Sequence, residues 1–303
     1  MSTLCPWCSA PRAAGDTCPR CGANYAKAEL IKAQGSAPAP VIAPAAEAPV
    51  IARFEEAVVD DPTLEYKMTL VALPAALALG VLFHFLMPGL QRMFFGMPVH
   101  ELGHAVSAWL CGFFAIPTLW KTLVFSDSRS FLVSLVIAGG LVWLAVLAWR
   151  AERTGYVVLI AAVLVLQAIG TLGMSLDTAE MLFTFGGDGM GMVLAALLMA
   201  SFFVGKRTQL YKGSLRWGFL VIGAAAFADM FATWWAAQWN ADAIPFGENE
   251  GSGLSDPMKL LEDYHWQAKT IVRRYVLVGC GSLAGLALVY IWGVMRARRK
   301  LRT

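Results

Sequence analysis

The chain has 303 residues, of which 58% are hydrophobic and only 15% charged, and its net charge is +3. A soluble domain cannot bury that much apolar surface, so the composition favours a membrane protein. The sequence shows no basic stripe with interleaved aromatic residues, and nucleic-acid binding is therefore not expected.

The amino-terminal residues 1–26 contain four cysteines in a C-x2-C-x9-C-x2-C pattern. They are Cys5, Cys8, Cys18 and Cys21. Two such turns offer four thiolates to one tetrahedral zinc ion, which would hold together a unit too small to build a core. Four thiolates leave no open coordination position, so we expect a structural zinc ribbon that binds a protein partner and does not catalyse.

Residues 27–67 connect this ribbon to the first long apolar run. Residues 33–52 are rich in Ala and Pro, which is typical of flexible or semi-extended linkers. Residues 53–67 carry five acids and are expected to form a polar or interfacial helix. The first 67 residues show no signal-peptide pattern, so a cleavable export signal is not expected.

Residues 68–303 are predicted to form an all-α polytopic domain embedded in the lipid bilayer. Six runs are long enough to cross about 30 Å of hydrocarbon. They cover residues 68–87, 131–149, 155–174, 181–205, 217–239 and 275–295. A seventh apolar segment, 93–116, contains polar residues and is expected to be a re-entrant helix or a seventh span. The tryptophans Trp217, Trp234, Trp235, Trp239 and Trp266 are expected to anchor the spans at the membrane interface.

The seventh segment contains the sequence HELGH at residues 100–104, which is the HExxH pattern of zinc hydrolases. Residues four apart share one helix face, so His100 and His104 can direct both imidazoles at one metal ion. Glu101 lies beside them, where a general base could take a proton from a zinc-bound water. Ionisable groups within a membrane are costly without partners, and a metal ion would provide one.

A catalytic zinc ion usually has three protein ligands, so the third must come from a distant segment. Asp188 is the first candidate, because glycines on both sides let backbone and metal approach closely. Asp229 and His84 are the alternatives, since both lie in apolar runs. The glycines before Asp188 also fit a local helix break or a simple packing contact. Residues 113–130 could form a re-entrant loop or a strand pair beside the site.

The pattern VHELGHAVSA at residues 99–108, together with Asp188 and the glycine after it, resembles the site-2 protease family of intramembrane zinc metalloproteases. The resemblance covers about residues 68–205. It implies that His100, His104 and Asp188 bind zinc and that Glu101 activates water. The chain departs from the family pattern, because it has no Asn shortly before Asp188 and no PDZ-like insert. The group that stabilises the oxyanion is therefore unassigned.

Basic residues cluster at 150–153, at 206–216 and at 296–302. The positive-inside rule places all three in the cytoplasm, where a reducing environment also suits the zinc ribbon. The acidic loop 240–270 is then expected outside. This topology requires segment 93–116 to enter and leave on one side, whereas the family resemblance favours a spanning helix with zinc nearer the cytoplasm.

Together these features predict a multi-pass intramembrane metalloprotease that binds one catalytic and one structural zinc ion and cleaves membrane-protein or peptide substrates. Two other functions are open: a non-catalytic membrane scaffold that binds partners through the ribbon, and a metal or proton transporter. The transporter would use His84, His100, Glu101, His104, Asp188 and Asp229 as polar way stations. Transport predicts donors distributed through the bilayer, whereas hydrolysis predicts one compact cluster near one face.

Overall fold

The structure is a computed structural model that describes residues 3–35, 61–125, 128–205, 208–212, 214–249 and 253–301. It is mostly helical and divides into two units, Met1–Val58 and Val59–Thr303. The larger part of the predicted linker and of the acidic segment after it falls outside the described ranges.

The amino-terminal unit consists of two cysteine turns, each closed by an isolated antiparallel bridge, and a helix. Helix α1, Tyr25–Gly35, follows the second turn, and the Tyr25 ring is buried against Cys5 and Cys18. The helix crosses the boundary predicted at residue 26. The folded unit is therefore longer than the cysteine pattern alone indicates.

The second unit is a helical assembly with two short strand pairs. In chain order its helices are α2 (Pro62–Leu86), α3 (Pro88–Gln91), α4 (Met97–Leu110), α5 (Phe131–Arg150), α6 (Thr154–Ala168), α7 (Leu176–Ala200), α8 (Gln209–Lys212), α9 (Leu215–Ala236), α10 (Asp256–Glu262) and α11 (Ala268–Lys300). Two π-helices, Arg92–Gly96 and Ile169–Gly173, follow α3 and α6, and 3-10 turns cover Ser201–Phe203 and Ala241–Ala243. The antiparallel pairs are β1 (Ala115–Pro117) with β2 (Thr122–Val124) and β3 (Glu248–Asn249) with β4 (Gly253–Leu254).

Within the described ranges, six helices are long and apolar enough to cross a membrane: α2, α5, α6 together with the π-helix that continues it to Gly173, α7, α9 and α11. They coincide with the six apolar runs of the sequence, so that prediction is confirmed. Their length and composition indicate an integral membrane protein. Helix α4, which carries the HExxH pattern, has 14 residues and is shorter than any of the six.

Helix α4 is packed inside this unit and runs antiparallel to α7. Near its start, the carbonyl of Val99 lies beside Gly191, in the second half of α7. Just beyond its end, Cys111 shares a buried cluster with Ala179, in the first turn of α7. Helix α4 therefore runs from the middle of α7 towards the amino-terminal end of α7.

Glycines allow the close contact between α4 and α7. A side chain at Gly103 would collide with the carbonyl oxygens of Gly186 and Gly187, and one at Gly187 would collide with both imidazoles of α4. Helix α7 continues unbroken through these residues. The suggested helix break is therefore wrong, and the packing alternative is confirmed, because small residues let two helix backbones approach.

Candidate metal centres

The cysteine cluster, formed by Cys5, Cys8, Cys18 and Cys21, has the arrangement needed to hold a metal ion. One sulfur from each residue lies within 4.8 Å of the others. The backbone amide of Cys21 does most to lower the pKa of Cys18 to about 6, against burial, which raises it. Amides aimed at sulfur favour the thiolate, which is the form that binds a metal.

The second unit contains another such group, made of His100, His104 and Asp256, which we call the histidine–aspartate group. The two Nε2 atoms are 3.1 Å apart, and Asp256 Oδ2 lies 3.1 Å from His100 Nε2 and 2.9 Å from His104 Nε2. The three donor atoms therefore form a nearly equilateral triangle. Three ligands on one side of a metal ion leave a fourth tetrahedral position open, as in catalytic zinc sites.

The remaining nitrogen of each imidazole faces a hydrogen-bond acceptor. Asp188 Oδ1 lies 2.7 Å from His100 Nδ1, and the carbonyl oxygen of Phe183 lies 2.7 Å from His104 Nδ1. Each Nδ1 can therefore carry the ring proton, which leaves both Nε2 lone pairs free for a metal. In that tautomer two nitrogen lone pairs and a carboxylate oxygen face one point, which is a donor set that fits a metal ion.

Asp188 contacts the Nδ1 atom of His100, whereas the triangle uses the Nε2 atom of the same ring. Asp188 is therefore not one of the three donors, although the sequence predicted it as the third zinc ligand. Its Oδ1 also accepts a hydrogen bond from Arg92, and its Oδ2 accepts one from Trp234 Nε1 at 2.7 Å. The alternatives Asp229 and His84 lie near each other, with Asp229 paired to Arg92. The structure thus places Asp188 in contact with His100, but the third donor atom of the triangle belongs to Asp256.

Asp256 has only a weak signal in the sequence. It is one of six acids in the loop 240–270, and it lies between Ser255 and Pro257, a pattern typical of a helix start. Helix α10 packs against α7 and α11, with Leu260 completely buried. That packing brings Asp256 to His104 across 152 residues of sequence, and nothing in the loop sequence alone indicates it.

Trp234 also lies elsewhere than expected. It was predicted at the membrane interface, but its side chain is completely buried in the core of the second unit. Its ring stacks on Tyr275 with the centroids 4.1 Å apart. A buried indole N–H needs an acceptor, and the Asp188 carboxylate provides it.

Glu101 is buried beside the histidine–aspartate group and is held by the strand β2. Thr122 Oγ1 lies 2.8 Å from Glu101 Oε2 and 2.7 Å from the Glu101 carbonyl oxygen. The hydroxyl can donate a hydrogen bond to either oxygen, so the β1–β2 pair contacts the predicted base directly. Segment 113–130 thus contains a strand pair beside the site, one of the two forms considered for it.

A cavity of about 830 Å³ opens onto this group. The walls include the HExxH side chains, all of β2, and residues 254–257 around Asp256. A space of this size accommodates a short extended segment of polypeptide. The three candidate ligands and Glu101 therefore face one common space.

Comparison of the chain with protein-family models, with curated proteins and with solved structures gives no match. The resemblance to the site-2 protease family stays an expectation from the sequence. Function is therefore inferred from the geometry of the residues themselves.

Proposed function

We propose that the protein is an intramembrane zinc metalloprotease that hydrolyses peptide bonds of membrane-protein substrates. The observation that carries the proposal is the triangle of His100, His104 and Asp256 next to buried Glu101, in a unit with six membrane-length helices. Two imidazoles, one carboxylate and one open position form a hydrolytic zinc site. We assign these three residues as the zinc ligands, with Asp256 in the place expected for Asp188.

In this proposal the zinc ion and the residues around the cavity have separate roles in peptide hydrolysis. When bound, zinc supplies a Lewis acid that polarises a peptide carbonyl and lowers the pKa of water. Glu101 takes a proton from the attacking water and gives it to the leaving amine. Thr122 holds the Glu101 carboxylate in place. A substrate helix must unwind to expose its carbonyl, so helix-breaking residues in the substrate should favour cleavage.

The compactness of the group favours hydrolysis over transport and over a scaffold role. Its three donor atoms lie within 3.1 Å of one another and line one cavity with Glu101. Asp188, Asp229 and His84 form no further group with metal-ligand spacing among the described residues. A scaffold would also have no need of a buried glutamate beside the donors. Burying such a group without a function is expensive in a membrane protein.

For the cysteine cluster we propose a structural zinc ion and a role in binding a protein partner. Four thiolates complete a tetrahedral site, so the cluster has no position for substrate. At the tip of the first cysteine turn, Trp7 is 63% exposed. Exposed tryptophans are frequent anchors in protein interfaces, and the free thiolates suit the cytoplasm.

We also propose that the histidine–aspartate group opens at the membrane face away from the cytoplasm. The clusters of basic residues lie at or just after the carboxyl-terminal ends of α5, α7 and α11, and the positive-inside rule places these helix ends in the cytoplasm. Asp256 lies between the end of α9 and the start of α11, which are the opposite ends. This orientation differs from the family expectation of zinc nearer the cytoplasm.

Cleavage of reconstituted single-span peptides with a central Gly-Pro pair would test the proposal. We expect wild type to cut them, whereas Glu101→Gln should keep its zinc and lose cleavage, because the amide cannot accept the proton. Glu262→Gln, on the exposed side of α10, is the matched control and should cut normally. Full activity in Glu101→Gln would contradict the assigned base. Wild type that holds both zinc ions and cuts no such peptide would contradict hydrolysis.

A further inference from the structure

A network of charged and polar side chains lies on the Nδ1 side of His100. Its members are Arg92, Asp188, Asp229 and Trp234, which we call the Arg92 network. They come from three elements, the first π-helix, α7 and α9. Asp188, Asp229 and Trp234 are buried, with at most 5% of each residue exposed.

The Asp188 carboxylate is held from three directions. His100 Nδ1 and Trp234 Nε1 each lie 2.7 Å from one of its oxygens, and Arg92 Nη1 donates to Oδ1 at 3.2 Å. Both oxygens are therefore engaged by groups outside the metal triangle. Asp188 could join the triangle only by giving up these contacts, which are costly to break in a buried site.

Arg92 is shared between two carboxylates. The same Nη1 atom that contacts Asp188 lies 3.1 Å from Asp229 Oδ2. A side chain at Gly96 would collide with the Asp229 carboxylate, so this acid packs directly against the backbone of the π-helix that carries Arg92. Arg92 lies in a π-helix, a local irregularity that recurs at functional sites.

We propose that Asp188 is a positioning residue that fixes the orientation and the tautomer of His100, and that Arg92 and Trp234 hold Asp188 in place. The inference rests on the metal site of the proposed function. A carboxylate that accepts the second N–H of a ligating histidine keeps the other nitrogen available, and loss of such a partner weakens metal binding by about 10–100-fold.

A positioning residue and a ligand respond differently to substitution. Asp188→Asn keeps the shape and a carbonyl acceptor for His100, so zinc affinity should fall by about 10–100-fold with the same three ligands. Asp188→Ala removes the acceptor and should weaken binding further. Asp256→Asn removes a charged ligand and should weaken binding more than Asp188→Asn does.

Two further variants separate positioning from general packing. Trp234→Phe keeps a buried ring but removes one hydrogen bond to Asp188, so affinity should fall by less than in Asp188→Asn. Asp177→Asn replaces an exposed acid of the same helix, α7, and is the matched control, so its affinity should stay close to that of wild type.

The experiment measures zinc affinity of the full chain in detergent by competition with a chelator, and then the absorption bands of the cobalt-substituted protein. Subtracting the spectrum of the His100→Ala/His104→Ala double variant removes the contribution of the cysteine cluster. Asp188→Asn should retain the wild-type cobalt bands at saturating metal. Asp256→Asn should shift or lose them.

Three outcomes would overturn the inference. Loss of the cobalt bands in Asp188→Asn, as complete as in Asp256→Asn, would make Asp188 a ligand. Wild-type zinc affinity in Asp188→Asn would remove its positioning role, and an equal fall in Asp177→Asn would assign the effect to general destabilisation of α7. Neither readout involves cleavage, so a metal-loaded wild type that cuts nothing would contradict the protease and leave this comparison intact.

Discussion

The cysteine cluster and the histidine–aspartate group are assembled in opposite ways. The cluster takes all four sulfurs from residues 5–21, in a unit whose described residues bury, apart from two alanines, only two of the cysteines and Tyr25. The second group joins side chains of α4 to an aspartate 152 residues further along the chain, through the packing of α4 and α10 on α7. In the first case a metal would hold the fold, and in the second the fold holds the candidate ligands in place.

Removal of all bound metal should produce the largest difference in folding between the two regions. A chelator should unfold the amino-terminal unit, because structural zinc contributes about 10–16 kcal/mol to the folding of comparably small units. The second unit should keep its helices, since their packing does not depend on the ion. Limited proteolysis combined with far-ultraviolet circular dichroism would show cuts within residues 3–35 and a retained helical signal. A protease-resistant amino-terminal unit without metal, or loss of most helical signal, would contradict this contrast.

The same contrast explains which features the sequence predicts. Cysteine spacing, the HExxH pattern and apolar runs are local. The structure confirms the six membrane-length helices, and it brings the four cysteines together and the two HExxH histidines together. Asp256 depends on how α10 docks, and its Ser-Asp-Pro context indicates a helix start but not a metal ligand. The glycines beside Asp188 correctly indicated that this part of α7 lies close to the HExxH histidines, because these glycines pack against α4. Spacing could not show which side of His100 the Asp188 carboxylate would face.

A substitution in the α4–α7 contact would test whether packing holds the second site. In Gly187→Ala the new methyl group would collide with the His100 and His104 rings. Overpacking of this kind costs about 1–3 kcal/mol, and zinc affinity should fall with it. Thermal unfolding in detergent and chelator competition measure the two effects.

The matched control is Gly285→Ala in α11, where an added Cβ meets no atom within 4 Å. It should leave zinc binding unchanged and gain up to about 1 kcal/mol from helix propensity. Equal behaviour of the two variants would contradict a specific role for the α4–α7 glycine contact.

A smaller effect should come from the strand that holds the base. Thr122→Val removes the hydroxyl that donates to Glu101. Loss of one such hydrogen bond costs about 0.5–1.5 kcal/mol, so kcat should fall by up to about tenfold while zinc content stays the same. Thr122→Ser keeps the hydroxyl and should restore most of the rate. If the serine variant were as slow as the valine variant, the hydroxyl would not be the cause.

The central claim, that Asp256 completes a metal site with the two HExxH histidines, is tested most directly by counting zinc ions in the Asp256→Ala variant. Wild type and the exposed-site control Glu262→Ala should retain two zinc ions per chain after dialysis against a chelator of intermediate strength. Asp256→Ala should retain one, as should His104→Ala, because the cysteine cluster is unaffected. An Asp256→Ala protein that still holds two zinc ions under the same dialysis would contradict the claim.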